Sequence, residues 1–86
     1  MSSSFFDRQA MLYEYVLSSG EATDGFALTA PADTIARALV ALEDGLGLQV
    51  VIGHPGLDSA EAERILVTYA STATGVDLGS VPLVTE

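Results

Sequence analysis

The fold prediction rests on residues 26–52, which read FALTAPADTIARALVALEDGLGLQVVI. Apolar residues recur at helical spacing in the middle of this stretch, at Ile35, Leu39, Leu42 and Leu46. That period predicts an amphipathic helix that begins near Pro31 and ends in the Gly-Leu-Gly stretch 45–47. The β-branched stretch 48–52 predicts a strand, and the weakly alternating stretch 26–29 predicts a second, shorter one.

Two further helices are predicted on either side of this segment. The first covers about residues 4–18 and stops at Gly20, and the second begins at a cap at Asp58 or Ser59 and stops at Gly75. Strands that alternate with helices are typical of βαβ units, and the connection between the two strands is long enough for a parallel crossover. The order α-β-α-β-α therefore predicts a small two-layer α/β domain with two or three short strands.

The chain is expected to form a single domain over residues 1–86, because 86 residues fall within the size of one small domain. Its tail carries apolar residues between 76 and 84 that are interrupted by Gly79 and Pro82. Proline is tolerated in edge strands. The tail pattern thus predicts that residues 79–86 form either an edge strand of the sheet or an extended arm.

The charge is strongly acidic, with 12 Asp and Glu against three basic residues and a net charge of -9. Nucleic-acid backbones and anionic membranes are bound mainly through Lys and Arg, so direct binding of DNA, RNA or a membrane surface is disfavoured. The absence of Cys excludes disulfides, thiolate zinc sites and thiol nucleophiles. No signal-peptide pattern and no apolar run near the roughly 18 residues of a membrane span is present, so a cytoplasmic location is expected.

His54 is the single histidine and lies in a Gly-His-Pro-Gly break after the better of the two predicted strands. Ligands gather at the carboxyl ends of strands in α/β sheets, so the loop around His54 is a candidate ligand site. Together with Asp58 and Glu61 it is also a weak candidate for a divalent metal, although the spacing matches no metal motif. No cofactor, metal site or catalytic residue is therefore predicted, and the chain is expected not to be an enzyme.

The first predicted helix carries four aromatic residues within eleven positions. Its apolar stripe is wider than one core face requires, and aromatic residues are enriched at interface centres. The chain is also 49% hydrophobic and only 17% charged, against about 25% charged in typical domains. These features predict an interface with a second chain, formed by Phe5, Phe6, Leu12, Tyr13, Tyr15 and Val16. The alternative is a first helix buried between the sheet and the tail.

Three functions are consistent with this pattern. The leading hypothesis is a non-catalytic protein–protein interaction or regulatory module that forms homo-oligomers or binds another protein through the first helix. An alternative is an acidic inhibitor that mimics nucleic acid and occupies a basic groove on a partner protein. A third is a small domain that binds a ligand or metal through the loop around His54. A high-GC or halophilic origin would also account for the acidity.

Overall fold

A computed structural model describes residues 5–80, and helices make up most of this range. α1 spans Phe5–Thr23, α2 spans Ala32–Val51 and α3 spans Ser59–Thr74, and a short 3-10 helix follows at Leu78–Ser80. α2 packs against both α1 and α3. The part of the chain described contains no strand, so the predicted α/β architecture is wrong and the fold is all-α. None of these helices has the length and hydropathy needed to cross a membrane.

The core lies where α2 meets its two neighbours. Its buried members come from all three helices and are Ala10, Leu17, Ile35, Ala36, Leu39, Val40 and Ala73. The predicted apolar stripe of α2 is confirmed, since three of its four residues are buried and Leu42 is half-buried. Each large apolar side chain removed from water in this way contributes about 1.5–3 kcal/mol to folding.

The predicted strand at 48–52 is wrong because α2 continues through this stretch. Gly45 and Gly47 were expected to end the helix, yet both keep negative φ angles inside it. A glycine in a helix interior is less favourable than alanine by about 0.5–1 kcal/mol, which is too little to end a helix that buries Leu46 between them. Burial on one helix face thus outweighs the local β-propensity of the residues that follow.

α2 ends at Val51, and the residue that stops it is Gly53, two positions further on, which has a φ of 77°. Its N–H donates to the carbonyl of Val50 at 3.1 Å, and the N–H of His54 donates to the carbonyl of Gln49 at 2.9 Å. This pair of bonds is a Schellman motif, which satisfies carbonyls that have no partner within the helix. Glycine is favoured there because the left-handed backbone conformation is disfavoured for other residues.

The predicted strand at 26–29 is also wrong. The N–H of Ala27 donates to the carbonyl of Thr74 at 2.7 Å, and the N–H of Thr29 donates to the carbonyl of Ala73 at 3.0 Å. Both carbonyls belong to the last turn of α3, where helical carbonyls lack intrahelical partners. The segment between α1 and α2 therefore completes a helix end, and it pairs with no strand.

α3 begins and ends close to the predicted positions. The carboxylate of Asp58 accepts a hydrogen bond from the N–H of Glu61 at 2.8 Å, which confirms Asp58 as the cap. Gly75, with a φ of 73°, ends the helix as predicted. Of the tail predicted as an edge strand or arm, positions 79 and 80 belong to the 3-10 helix, and residues 81–86 lie outside the described residues.

Gly20 was expected to stop α1, but the helix runs on to Thr23 and buries this glycine. The ring of Phe26 packs directly on it, so that a Cβ at this position would lie 2.8 Å from the ring Cγ and nearer still to two other ring carbons. The N–H of Phe26 also donates to the carbonyl of Gly20 at 3.1 Å. The missing side chain of Gly20 therefore leaves the space in which the Phe26 ring packs against α1.

Gly20→Ala is expected to destabilise the fold by about 1–3 kcal/mol through overpacking, because the added methyl group meets the Phe26 ring. Gly45→Ala is the matched control, since its added Cβ meets no atom within 4 Å. That variant is expected to stabilise the fold by about 0.5–1 kcal/mol through helix propensity. Urea unfolding followed by circular dichroism measures the free energy of unfolding of both variants. Equal stabilisation by the two substitutions would contradict the tight packing of Phe26 on Gly20.

Candidate functional site

A groove opens between α1 and α3, and Leu39 of α2 lies at its base. This central groove has a volume of about 350 Å³. The floor includes the buried side chains of Leu17, Leu39 and Thr74. The half-buried walls and the rim are contributed by Tyr13, Val16, Phe26, Leu66, Val67, Ala70 and Leu78.

No charged side chain lines the central groove, and its two hydroxyl groups already have partners. The hydroxyl of Tyr13 donates to the carboxylate of Glu43 at 2.8 Å. The hydroxyl of Thr74 donates to the carbonyl of Ala70 at 2.8 Å. Since these groups are satisfied within the protein, the remaining surface of the groove offers apolar contacts.

The hydrogen bond between Tyr13 and Glu43 also connects α1 with α2. Burial raises the pKa of Tyr13 from 10.0 to about 12, with further contributions from the hydrogen bond to Glu43 and from the negative charges of Glu43 and Asp44. The phenol is therefore protonated, and able to donate, throughout the physiological range. An ion pair between Asp7 of α1 and Arg37 of α2, at 2.7 Å, also connects these two helices. It is largely exposed and adds little stability.

Two side chains of the central groove come from outside the three helices. Phe26 lies in the connection between α1 and α2, where its ring packs on Gly20. Leu78 lies in the 3-10 helix, where its N–H donates to the hydroxyl of Ser71 at 2.9 Å. Both residues are half-buried. The groove is therefore walled by rigid helices and bordered by connecting segments, which move more readily than packed helices.

The outer face of α1 is apolar and uncovered. Its exposed residues are Phe5, Met11, Leu12, Tyr15 and Val16, each at least 50% accessible. Phe6 is 50% exposed too, but it lies at helical spacing from the buried Ala10, at the start of the helix. Positions 5, 12 and 16 recur at helical spacing and form one stripe beside the core-facing side. Five of the six predicted interface residues thus lie at the surface, whereas Tyr13 turns toward α2. Their role in an interface stays a prediction.

A second apolar patch lies at the end of α2. It consists of Leu48, Val51 and Ile52, which are 62%, 83% and 68% exposed. These residues were predicted to lie in the strand 48–52. In the structure all three side chains are largely exposed, so most of their apolar surface is left to solvent.

The three weak metal candidates, His54, Asp58 and Glu61, line one open depression at the start of α3. Each already has a local partner: His54 Nδ1 lies 2.8 Å from the carbonyl oxygen of Pro55, Asp58 caps α3, and Glu61 pairs with Arg64. The hydrogen bond from Arg64 lowers the pKa of Glu61. Across residues 5–80, no three His, Cys, Asp or Glu side chains are placed to hold a metal ion.

Sequence reasoning did not identify the central groove. Of its lining residues, Leu39, in the predicted stripe of α2, and Tyr13 and Val16, in the predicted interface, were singled out from the sequence. The groove itself depends on the separation of α1 and α3, which no local pattern encodes. The contact between Gly20 and Phe26 was likewise hidden, because a glycine near a helix end is usually a stop signal.

Comparison with known protein families gave a match over residues 3–75 to the model described as "BetI-type transcriptional repressor, C-terminal". The matched range includes all of α1, α2 and α3. No match was found among curated proteins or among solved structures.

This match corrects the predicted function. The family acts in transcriptional regulation, so a generic interaction module, a nucleic-acid mimic and a binding domain built on the His54 loop are all replaced by a repressor domain. The expectation that nucleic acid is no partner is wrong at the level of the family, since transcriptional repressors bind DNA. A repressor family is a family of regulators, which agrees in kind with the predicted regulatory and non-enzymatic role.

Tyr13→Phe is expected to lower stability at neutral pH by about 1 kcal/mol, because the hydrogen bond to Glu43 is lost. The pKa of Tyr13 is higher in the folded state, so its contribution is complete below pH 10 and fades as the pH rises toward 12. The stability difference between wild type and variant, measured by urea unfolding, should therefore shrink over that range. Tyr15→Phe, at an exposed position, is the control and should change little; a pH-independent difference would contradict the assignment.

Proposed function

The chain belongs to the family of BetI-type transcriptional repressor C-terminal domains, and we propose that it is the regulatory domain of such a repressor. In this role two copies pair through an apolar surface, and a small ligand binds between the helices. The observation that carries the proposal is the family match, which extends over the three helices that build both surfaces.

The proposed pairing surface is the outer face of α1. It presents two aromatic anchors, Phe5 and Tyr15, that are 62% and 72% exposed. Aromatic residues dominate the binding energy of many interfaces, and apolar area removed from water contributes about 25 cal/mol per Å². Two copies that each carry a charge of -9 repel one another at long range, so this pairing depends on apolar contact and is strengthened by salt.

DNA contact is proposed to reside outside residues 5–80. The chain has three basic residues, Arg8, Arg37 and Arg64. Two of them, Arg37 and Arg64, pair with carboxylates of the same chain. Lys and Arg supply the electrostatic affinity for phosphates, so a domain of this charge is poorly suited to the DNA backbone. Pairing of two copies would instead set the distance between the two DNA-binding elements of a dimer, which contact the two half-sites of a symmetric DNA site.

The proposed place of action follows from the family. A transcriptional repressor works where the DNA is, and we infer a cytoplasmic location in keeping with the sequence expectation. The single-domain organisation of residues 1–86 also remains part of the proposal. The shared core of α1, α2 and α3 supports it.

Sedimentation equilibrium of the 86-residue chain tests the pairing. We expect a dimer, and we expect Leu12→Asp to weaken it at least 100-fold, or by about 3 kcal/mol, because a carboxylate would be buried without a partner. Leu48→Asp is the matched control, since Leu48 is 62% exposed and Leu12 is 69% exposed. A wild-type chain that stays monomeric at high salt would contradict pairing, and a dimer lost only in Leu48→Asp would move the interface to α2.

A further inference from the structure

We propose that the central groove takes an uncharged, largely apolar small molecule about the size of a two-ring aromatic compound. The inference rests on the proposed function and names the ligand class of its regulatory site. Ligand pockets in proteins have volumes of about 300–1,000 Å³, and the groove, at about 350 Å³, lies at the lower end of that range. A cavity of about 150 Å³ lined by Leu, Ile and Phe accepts benzene, so roughly twice that volume suits two rings.

The apolar lining of the groove favours an uncharged ligand over an ionised one. All but two of the groove residues are apolar, and the two exceptions are Tyr13 and Thr74. Their hydroxyl protons are directed at Glu43 and at the carbonyl of Ala70. An ionised ligand would lose its hydration and gain no counter-charge from the lining, which carries a large free-energy penalty. An uncharged ligand meets no such penalty and gains the apolar contacts.

The shape of the groove favours entry past Leu78 in the 3-10 helix. Leu17 and Leu39 on the floor are 4% and 6% exposed, so the deep end is fixed by the core. Phe26 is half-buried and held against Gly20 of α1, whereas Leu78 is half-buried and belongs to the 3-10 helix that follows α3. A small displacement of Leu78 would admit a flat ring system without disturbing the contacts of α2 or of Phe26.

The groove is a poor match for a second copy of the chain. Among its lining residues only Val16, at 56%, is strongly exposed. The large exposed side chains of the chain lie instead on the outer face of α1 and at the end of α2. A partner protein would reach the rim of the groove and leave its floor empty, whereas a small molecule can reach Leu39.

Three probes that share one ring system test the charge preference. They are 1-naphthylmethanol, 1-naphthoate and 1-naphthylmethylammonium, titrated into the 86-residue chain at about 0.5 M salt to screen its net charge. Methyl-group NMR locates the site through the signals of Leu39, Leu66 and Val67, with Leu48 and Ile52 as distant reporters. We expect the groove methyls to shift, and we expect the alcohol to bind at least 10-fold more tightly than either ion.

Ala70→Leu tests the site directly, because Ala70 lines the groove and a larger side chain would fill it. We expect affinity for 1-naphthylmethanol to fall at least 10-fold. Ala41→Leu adds the same volume at an exposed position on α2 and should leave affinity unchanged. Circular dichroism of both variants establishes that each is folded. If Ala70→Leu fails to fold, Val67→Lys is used in its place, with the preference expected to shift from the alcohol toward the anion.

The proposal is overturned if the alcohol shifts only the methyls of Leu48 and Ile52, if an ion binds as tightly as the alcohol, or if Ala70→Leu binds like wild type. Sedimentation of the same samples separates this outcome from failure of the proposed function. A dimer that does not bind the alcohol removes only the ligand inference. A monomer that binds it at the groove retains the ligand site and removes the pairing.

Discussion

The structure depends on α2 being shared between two helices. Ile35 and Ala36 are 1% and 0% exposed, so one side of α2 is fully buried by contacts within the chain. Because α1 and α3 both pack on this one helix, they are held apart from each other and the central groove forms between them. The same arrangement turns the opposite side of α1 outward. Val16 lies where the two surfaces meet, so a ligand at the groove rim and a partner on α1 would share a residue.

The sequence predicted the helices well and the strands wrongly, and the reasons are specific. Helical periodicity is a long signal, and it identified α2 from a four-residue stripe. The strand predictions relied on short stretches, in which burial of Leu46 and the open carbonyls at the end of α3 outweighed local propensity. Glycine was equally ambiguous: Gly75 stops a helix, whereas Gly45 and Gly20 lie inside helices, one in open space and one beneath an aromatic ring.

The candidate site was predictable only where it depends on one helix. Aromatic crowding in the first helix led to the residues that the fold leaves exposed on α1. Tyr13 belonged to the same local pattern, but its partner Glu43 lies 30 residues away, and no local pattern reveals that contact. The central groove requires the positions of three helices and two connections at once. Family membership was also beyond composition, because acidity by itself argued against any link to DNA.

We propose that a second copy of the chain covers the outer face of α1, and this pairing can be measured directly. The chain lacks Cys, so a single spin label can be attached at Ser19→Cys on α1 or at Thr72→Cys on α3. Packed helices lie about 8–10 Å apart, and continuous-wave and pulsed electron resonance together measure short and long distances between labels on two copies. We expect a shorter distance for the α1 pair than for the α3 pair. A shorter distance for the α3 pair, or no dipolar coupling at either position, would contradict it.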